Sequence, residues 1–167
     1  MTIKLDLINS SKRLQRGIFI SFEGGEGSGK STQSKLLAEY LSGTQIPVIH
    51  TREVGGTVAA EKIRDILVNY DLQTMSELML VMAARYEHLK QVIIPALLAG
   101  KWVICDRFID STASYQSCPE MSIADIFALH SQLMKMNKTT RQGVNDQQIS
   151  SWLFAWDILP DVTFFMD

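Results

Sequence analysis

Short apolar runs separated by longer amphipathic stretches set the rhythm of this chain. Gly17-Ile18-Phe19-Ile20-Ser21-Phe22 is β-branched and aromatic, which predicts a buried strand. Ser31 to Ser42 follows with Leu36, Leu37, Tyr40 and Leu41 at helical spacing, and Gly43 stands where that helix would stop. Pro47 to Thr51 predicts a second strand, and Val58 to Val68 a helix with Ile63, Ile66 and Leu67 on one face. A long helix is predicted from Thr74 to Leu98. Its apolar positions Leu78, Val81, Met82, Leu89, Val92 and Ile93 recur at threes and fours, Pro95 bends it near its end, and Gly100 ends it. Trp102-Val103-Ile104-Cys105 is the clearest buried strand. Helices are predicted over Ser111–Ser117, Ser122–Met136 and Gln147–Leu159, with a polar, turn-rich stretch at Lys138–Asn145 before the last of them. Pro160-Asp161 breaks that helix ahead of a final strand at Val162–Met166. Strands alternating with helices predict an α/β fold, a doubly wound parallel sheet with helices on both faces.

Composition narrows the class without altering this picture. A length of 167 residues suits one domain, and 46% hydrophobic with 20% charged residues describes an ordinary globular chain. We expect residues 1–16 to form an N-terminal extension and residues 17–167 a single domain. The extension lacks the apolar core and cleavage site of a secretory signal, and no apolar run is long enough to span a bilayer. A net charge of −2 argues against nucleic acid or a membrane surface as partner, so any phosphate recognition must come from a few placed cations. Cys105 and Cys118 have no ligand spacing and read as reduced thiols of a cytoplasmic protein. His50, His88 and His130 are scattered and read as solvent-facing or satisfied, while Met75, Met79, Met82, Met134 and Met136 read as core packing.

Chemistry enters at Gly24-Gly25-Glu26-Gly27-Ser28-Gly29-Lys30-Ser31, which fits G-x-x-x-x-G-K-[ST] without mismatch between a predicted strand and a predicted helix. Glycines there let the backbone wrap a phosphate chain with its N–H groups inward, aided by the helix N-terminus. Lys30 would reach the β/γ-phosphates and the Ser31 hydroxyl would ligate Mg²⁺. The expected ATP site thus runs from Gly24 through Thr32, and the fold becomes a P-loop NTPase-type sheet. Asp106-Arg107 ends the strand that starts at Trp102, where ligands of open parallel sheets collect. From the residues alone this pair also reads as a structural ion pair, Arg64 and Arg85 as surface cations, and Tyr115 and Gln116 as ordinary helix residues.

Three stretches carry a more specific signal: Phe22 to Gln33 around the glycine loop, Thr51-Arg52-Glu53-Val54-Gly55-Gly56-Thr57, and Asp106-Arg107-Phe108-Ile109-Asp110-Ser111-Thr112-Ala113-Ser114-Tyr115-Gln116. In this order and spacing, with Ala83-Ala84-Arg85 and Pro160-Asp161-Val162-Thr163, they resemble bacterial thymidylate kinases from about Ile18 to Asp167. Such enzymes phosphorylate dTMP to dTDP with ATP and Mg²⁺, and assemble as homodimers through long helices. The resemblance implies catalytic roles for Lys30, Arg107 and Glu26. Arg107 would hold the acceptor phosphate with Arg64 as a second cation, and Glu26 would reach the acceptor sugar or its Mg²⁺ shell. Arg85, Thr112 and Gln116 would grip the thymine and its surroundings, Tyr115 would pack near the deoxyribose, and Glu53 would lie at the substrate site. Ser31 and Asp106 would set the metal.

The chain also departs from that pattern. Val54 stands where the family usually has proline, and Val81 where it commonly has a phenylalanine that stacks on thymine, a loss of ~1–3 kcal/mol by analogy with base-stacking platforms. The stretch of about 119–138 looks like an insertion near the acceptor. An Arg-rich lid and further elements are expected after the last strand, where this sequence ends at Asp167, and the loop itself holds no arginine. An arginine on the transferring phosphoryl group can be worth ~10³–10⁵ in rate. The expectation is therefore a dTMP kinase, with two rivals: a kinase for another acceptor, and a nucleotide-binding remnant impaired for want of the lid.

Overall fold

A computed structural model describes residues 16–135 and 158–167. The predicted stretch at Lys138–Asn145 lies outside them, as do Met136 and most of the expected N-terminal extension. Of the predicted Gln147–Leu159 helix only Ile158 and Leu159 are described, and neither is helical.

Among the described residues four strands, β1 (Phe19–Gly24), β2 (Val48–Arg52), β3 (Trp102–Asp106) and β4 (Val162–Met166), form one parallel sheet in the order β2-β3-β1-β4. Between them run α1 (Lys30–Gly43), α2 (Val58–Asn69), α3 (Thr74–His88), α4 (Ile94–Leu98), α5 (Ile109–Tyr115) and α6 (Ile123–Lys135). Side chains alternate across a sheet covered on both faces. Phe19, Val103 and Cys105 face one core with Leu89, Ile93 and Phe108, whereas Ile20, Phe22 and Ile104 face a second core with Ala38 and Leu41 of α1. The α/β doubly wound class is thus the observed one.

Three details differ from the expectations. The stripe of α1 is shifted: Tyr40 is 69% and Leu36 51% exposed, and after Lys30 the buried positions are Ser34, Ala38 and Leu41. Small side chains let the helix lie close to the sheet, an advantage that a count of large apolar residues overlooks. That helix also runs through Gly43 and is stopped by Thr44 and Gln45, whose φ of 65° turns the chain so that its N–H reaches the carbonyl of Ser42. The predicted long helix is continuous from Thr74 to Leu98, but its middle, Leu89–Ile93, is wound as a π-helical turn just before Pro95. Proline has no N–H for the helical ladder, and a local change of winding accommodates that loss. Met82 and Met134 are buried as expected, but Met75 and Met79 are exposed, because α2 and, at Leu78 and Met82, α6 cover other sides of α3.

Register determines the site. Phe22 pairs with Asp106, and Asp106 with Arg52, so the carboxyl ends of β1, β3 and β2 stop in one row. The ladders extend one step further, with Glu53 N–H donating to the Asp106 carbonyl (3.0 Å) and Arg107 N–H to that of Phe22 (2.9 Å). Glu23, Glu53 and Arg107 therefore leave the sheet side by side.

Candidate functional site

The glycine loop is a wide turn joining β1 to α1. Gly27 and Gly29 have φ of 76° and 86°, a conformation that side chains bearing a Cβ disfavour. Gly24 is required for space as well, since a Cβ there would lie 2.2 Å from the Met166 carbonyl of β4. Lys30 opens α1 and is only 6% exposed, with its Nζ donating to the Gly25 carbonyl and lying 3.3 Å from Ser28 Oγ. A buried ammonium is thereby held across the loop by two oxygens of the loop itself. The next residue, Ser31, donates its hydroxyl to Asp106 Oδ2 at the end of β3. Asp106 Oδ1 is buried and makes no hydrogen bond. A buried carboxylate oxygen without a donor, next to a serine hydroxyl, is a donor set that suits a hard divalent cation.

Asp106 and Arg107 diverge instead of pairing with each other. Arg107 has φ of 70°, and its Nη1 donates to Ser111 Oγ (3.1 Å) and the Gly24 carbonyl (3.4 Å), with its guanidinium 5.4 Å from the Tyr115 ring. This places a cation beside the start of the glycine loop.

A cleft of about 450 Å³ opens beside Arg107. All seven predicted acceptor residues line it: Glu53 from the loop after β2, Arg64 of α2, Arg85 of α3, Arg107, and Thr112, Tyr115 and Gln116 around α5. Glu26 reaches its rim from the glycine loop. Arg85, read from sequence as a surface cation, is 1% exposed and forms the floor. Its Nε donates to Glu53 Oε2 (2.7 Å), its Nη2 to Thr112 Oγ1 (2.6 Å), and its guanidinium carbon lies 4.9 Å from the Phe108 ring centre. Burial alone would push the Glu53 carboxyl up, but Arg85 and His88 beside it outweigh burial and hold it below the ordinary value. Arg64 donates to the Val54 carbonyl (3.0 Å), tying α2 to this loop, and the Glu53–Val54 peptide bond is cis. Val81 lies on the wall of the cleft between Glu77 and Arg85, at successive four-residue steps of one helix face.

Two buried residues of this site escaped the sequence reading. Glu23, 2% exposed, accepts from the Phe108 N–H (2.7 Å) and from the Ser111 hydroxyl, which is also the partner of Arg107. Burial raises its pKa, and the hydrogen bonds from Ser111 and Phe108 only partly offset that. A charged residue at the end of an otherwise apolar strand was the available signal. His88, whose scattered spacing reads as solvent-facing or satisfied, is fully buried between Glu53 and Thr51. His50 and His130 are also hydrogen-bonded, to Ser34 Oγ (2.9 Å) and the Ile158 carbonyl (3.0 Å). Cys105 is buried, its thiol pushed well up by burial, and Cys118 is half-buried; both are free thiols. Among the described residues no helix is long and apolar enough to cross a membrane.

Known proteins are similar to this chain in sequence and fold. The model of the family described as thymidylate kinase matches residues 22–138. A thymidylate kinase of Rickettsia bellii is 52% identical over 156 residues, and one of Rickettsia typhi 51% over 156 residues. Each match covers 93% of this chain, and the chain spans 66% of the length of these relatives. The crystal structure of thymidylate kinase from Ehrlichia chaffeensis is 40% identical with a TM-score of 0.65, covering 91% of this chain and 77% of that one. The glycine loop, the Glu53–Arg85 floor and the Asp106-Arg107 strand end all lie within the matched span, and the chain belongs to the thymidylate kinase family.

Proposed function

We propose that this protein transfers the γ-phosphoryl group of ATP to dTMP, giving dTDP. The observation that carries the reading is that a buried lysine in a glycine cradle and an arginine-floored cleft meet at Arg107. A monophosphate acceptor is already ionised, so one of its oxygens attacks the γ-phosphorus while the bond to the β-bridging oxygen breaks and ADP leaves. No general base is needed; positioning and charge neutralisation carry the catalysis. Lys30 and the loop N–H groups bind the donor phosphates. Arg107, with Arg64 nearby, holds the acceptor phosphate, for which a planar guanidinium is well shaped. Glu26 contacts the acceptor sugar, Tyr115 packs beside it, and Arg85, Thr112 and Gln116 face the base. Ser31 and Asp106 would hold Mg²⁺, which supplies neutralisation of the phosphate charge when bound; the unpartnered Asp106 Oδ1 supports that assignment.

The named relatives support this kinase reading over that of an impaired remnant. Coupled ADP-release assays with dTMP, dUMP, dCMP and dGMP test it. We expect dTMP to be the best acceptor and turnover to vanish without Mg²⁺; equal or better use of dGMP overturns the reading. We further propose a cytoplasmic homodimer packed through the Thr74–Leu98 helix, a reading supported by the exposed Met75 and Met79 on α3. Light scattering that gives a monomer mass would overturn it.

A further inference from the structure

We infer that His88 is a positioning residue for base selection, acting through Glu53 on the guanidinium of Arg85; this rests on the proposal that Arg85 faces the acceptor base. Arg85 and His88 are three residues apart on one face of α3, and both are buried. A buried guanidinium needs its counter-charge held still, or its remaining N–H groups have no defined direction. Glu53 supplies that charge, but a carboxylate gripped at one oxygen can still swing about it. His88 removes this freedom. Its Nδ1 lies 3.1 Å from Glu53 Oε1, while Arg85 Nε occupies Oε2 at 2.7 Å, so the carboxylate is held at both ends.

The imidazole is itself clamped. Its Nε2 is 2.6 Å from Thr51 Oγ1 on β2, so one ring spans from the sheet to the carboxylate. An ionised carboxylate only accepts, which places a hydrogen on Nδ1. The loop closes over the ring at Gly56, whose φ is 83° and where a Cβ would lie 2.5 Å from His88 Nε2 and 2.7 Å from Thr51 Oγ1. Thr112 holds the other side of the guanidinium at Nη2. The chain Thr51–His88–Glu53–Arg85–Thr112 thus ties β2, α3 and α5 together beneath the cleft. It leaves Nη1, whose neighbour is the weak acceptor Met82 Sδ at 3.9 Å, as the end of the arginine fork for a carbonyl acceptor on the base. A thymine offers a carbonyl at the position where cytosine carries an amino group, so a fixed guanidinium discriminates between them and a loose one does not.

His88→Leu fills the space without a donor, and His88→Asn keeps one amide N–H for Glu53. Steady-state kinetics with dTMP and dCMP, at saturating and at varied ATP, read the effect. For His88→Leu we expect KM for dTMP to rise about tenfold or more, the order expected when a hydrogen bond to a charged group is lost. The preference for dTMP over dCMP should fall by a similar factor, KM for ATP should stay unchanged, and His88→Asn should recover most of both. Gly56→Ala presses a methyl group on the same ring from outside, and should also erode dTMP preference even if His88→Leu fails to fold. Parallel shifts in both KM values, or unchanged base preference in the folded variants, overturn the role of His88. A wild-type protein without dTMP preference overturns the dTMP assignment and this inference together.

Discussion

The glycine loop and the acceptor cleft stand side by side at the ends of β1 and β3, yet they are made of different materials. The loop is eight consecutive residues, and it presents mostly backbone N–H groups, with positive-φ glycines setting their direction. The cleft is assembled from side chains of the β2 loop, α2, α3, the end of β3 and α5, elements far apart in sequence. A backbone cradle needs little around it beyond clearance, such as Gly24 against Met166. A side-chain cleft needs counter-charges and a buried hydrogen-bond chain to hold each cation. Function and stability should therefore be separable in the loop and entangled in the cleft.

The largest test of that contrast is Arg85→Ala. It leaves the Glu53 carboxylate buried without its main partner, and removing one member of such a pair costs about 3–5 kcal/mol. Urea unfolding should show a loss of that size together with loss of dTMP binding by calorimetry. Lys30→Ala should behave oppositely, with kcat falling by ~10²–10³, as for other placed donors to transferring charge, and the urea midpoint nearly unchanged. Equal destabilisation by both substitutions would erase the distinction.

Two buried carboxyls sharpen it by their pH dependence. Glu53 is held below the ordinary carboxyl value of 4.5 in the fold, so its contribution is fully present above that value and is lost as pH falls through the folded pKa. Glu23 is raised above 4.5, so the folded state binds the proton more tightly than the unfolded one. Its contribution therefore diminishes as pH rises from 4.5 through the raised value. Urea midpoints should move relative to wild type in opposite senses and in different windows: Glu53→Gln increasingly destabilised as pH rises toward 4.5 and level above it, Glu23→Gln increasingly favoured as pH rises above 4.5. Slopes of the same sign would contradict the assignment.

The smallest effect lies at the start of α2. Thr57 caps α2, its hydroxyl accepting from the Ala60 N–H at 3.1 Å. Thr57→Ala should cost about 1 kcal/mol of stability by thermal unfolding. Because α2 carries Arg64 into the cleft, KM for dTMP should rise while KM for ATP does not.

Much of this molecule was legible in the chain because the relevant physics is local. The run Phe19 to Phe22, the glycine spacing through Lys30-Ser31, and the alternation of strands and helices specify a strand, a phosphate cradle and an α/β class without reference to distant residues. Local pattern was misleading where several faces compete for burial. Leu36 and Tyr40 of α1 are exposed while Ser34 and Ala38 are buried, and Met75 and Met79 point away from the core. Periodicity marks an apolar stripe but not which neighbour will cover it.

Tertiary structure alone decided how the charged residues combine. Sequence resemblance brought Glu53, Arg85, Arg107 and Thr112 to one acceptor site, but said nothing of how their charges are balanced. The register Phe22–Asp106–Arg52 aligns three strand ends, and that alignment sets Glu23 beside Ser111 and Arg107, and Glu53 against Arg85 and His88. A buried charge is stable only with its partners in place, and those partners come from other segments of the chain. The glycine loop was thus determined by its own eight residues, whereas the roles of Glu23 and His88 came into being only when the sheet aligned them.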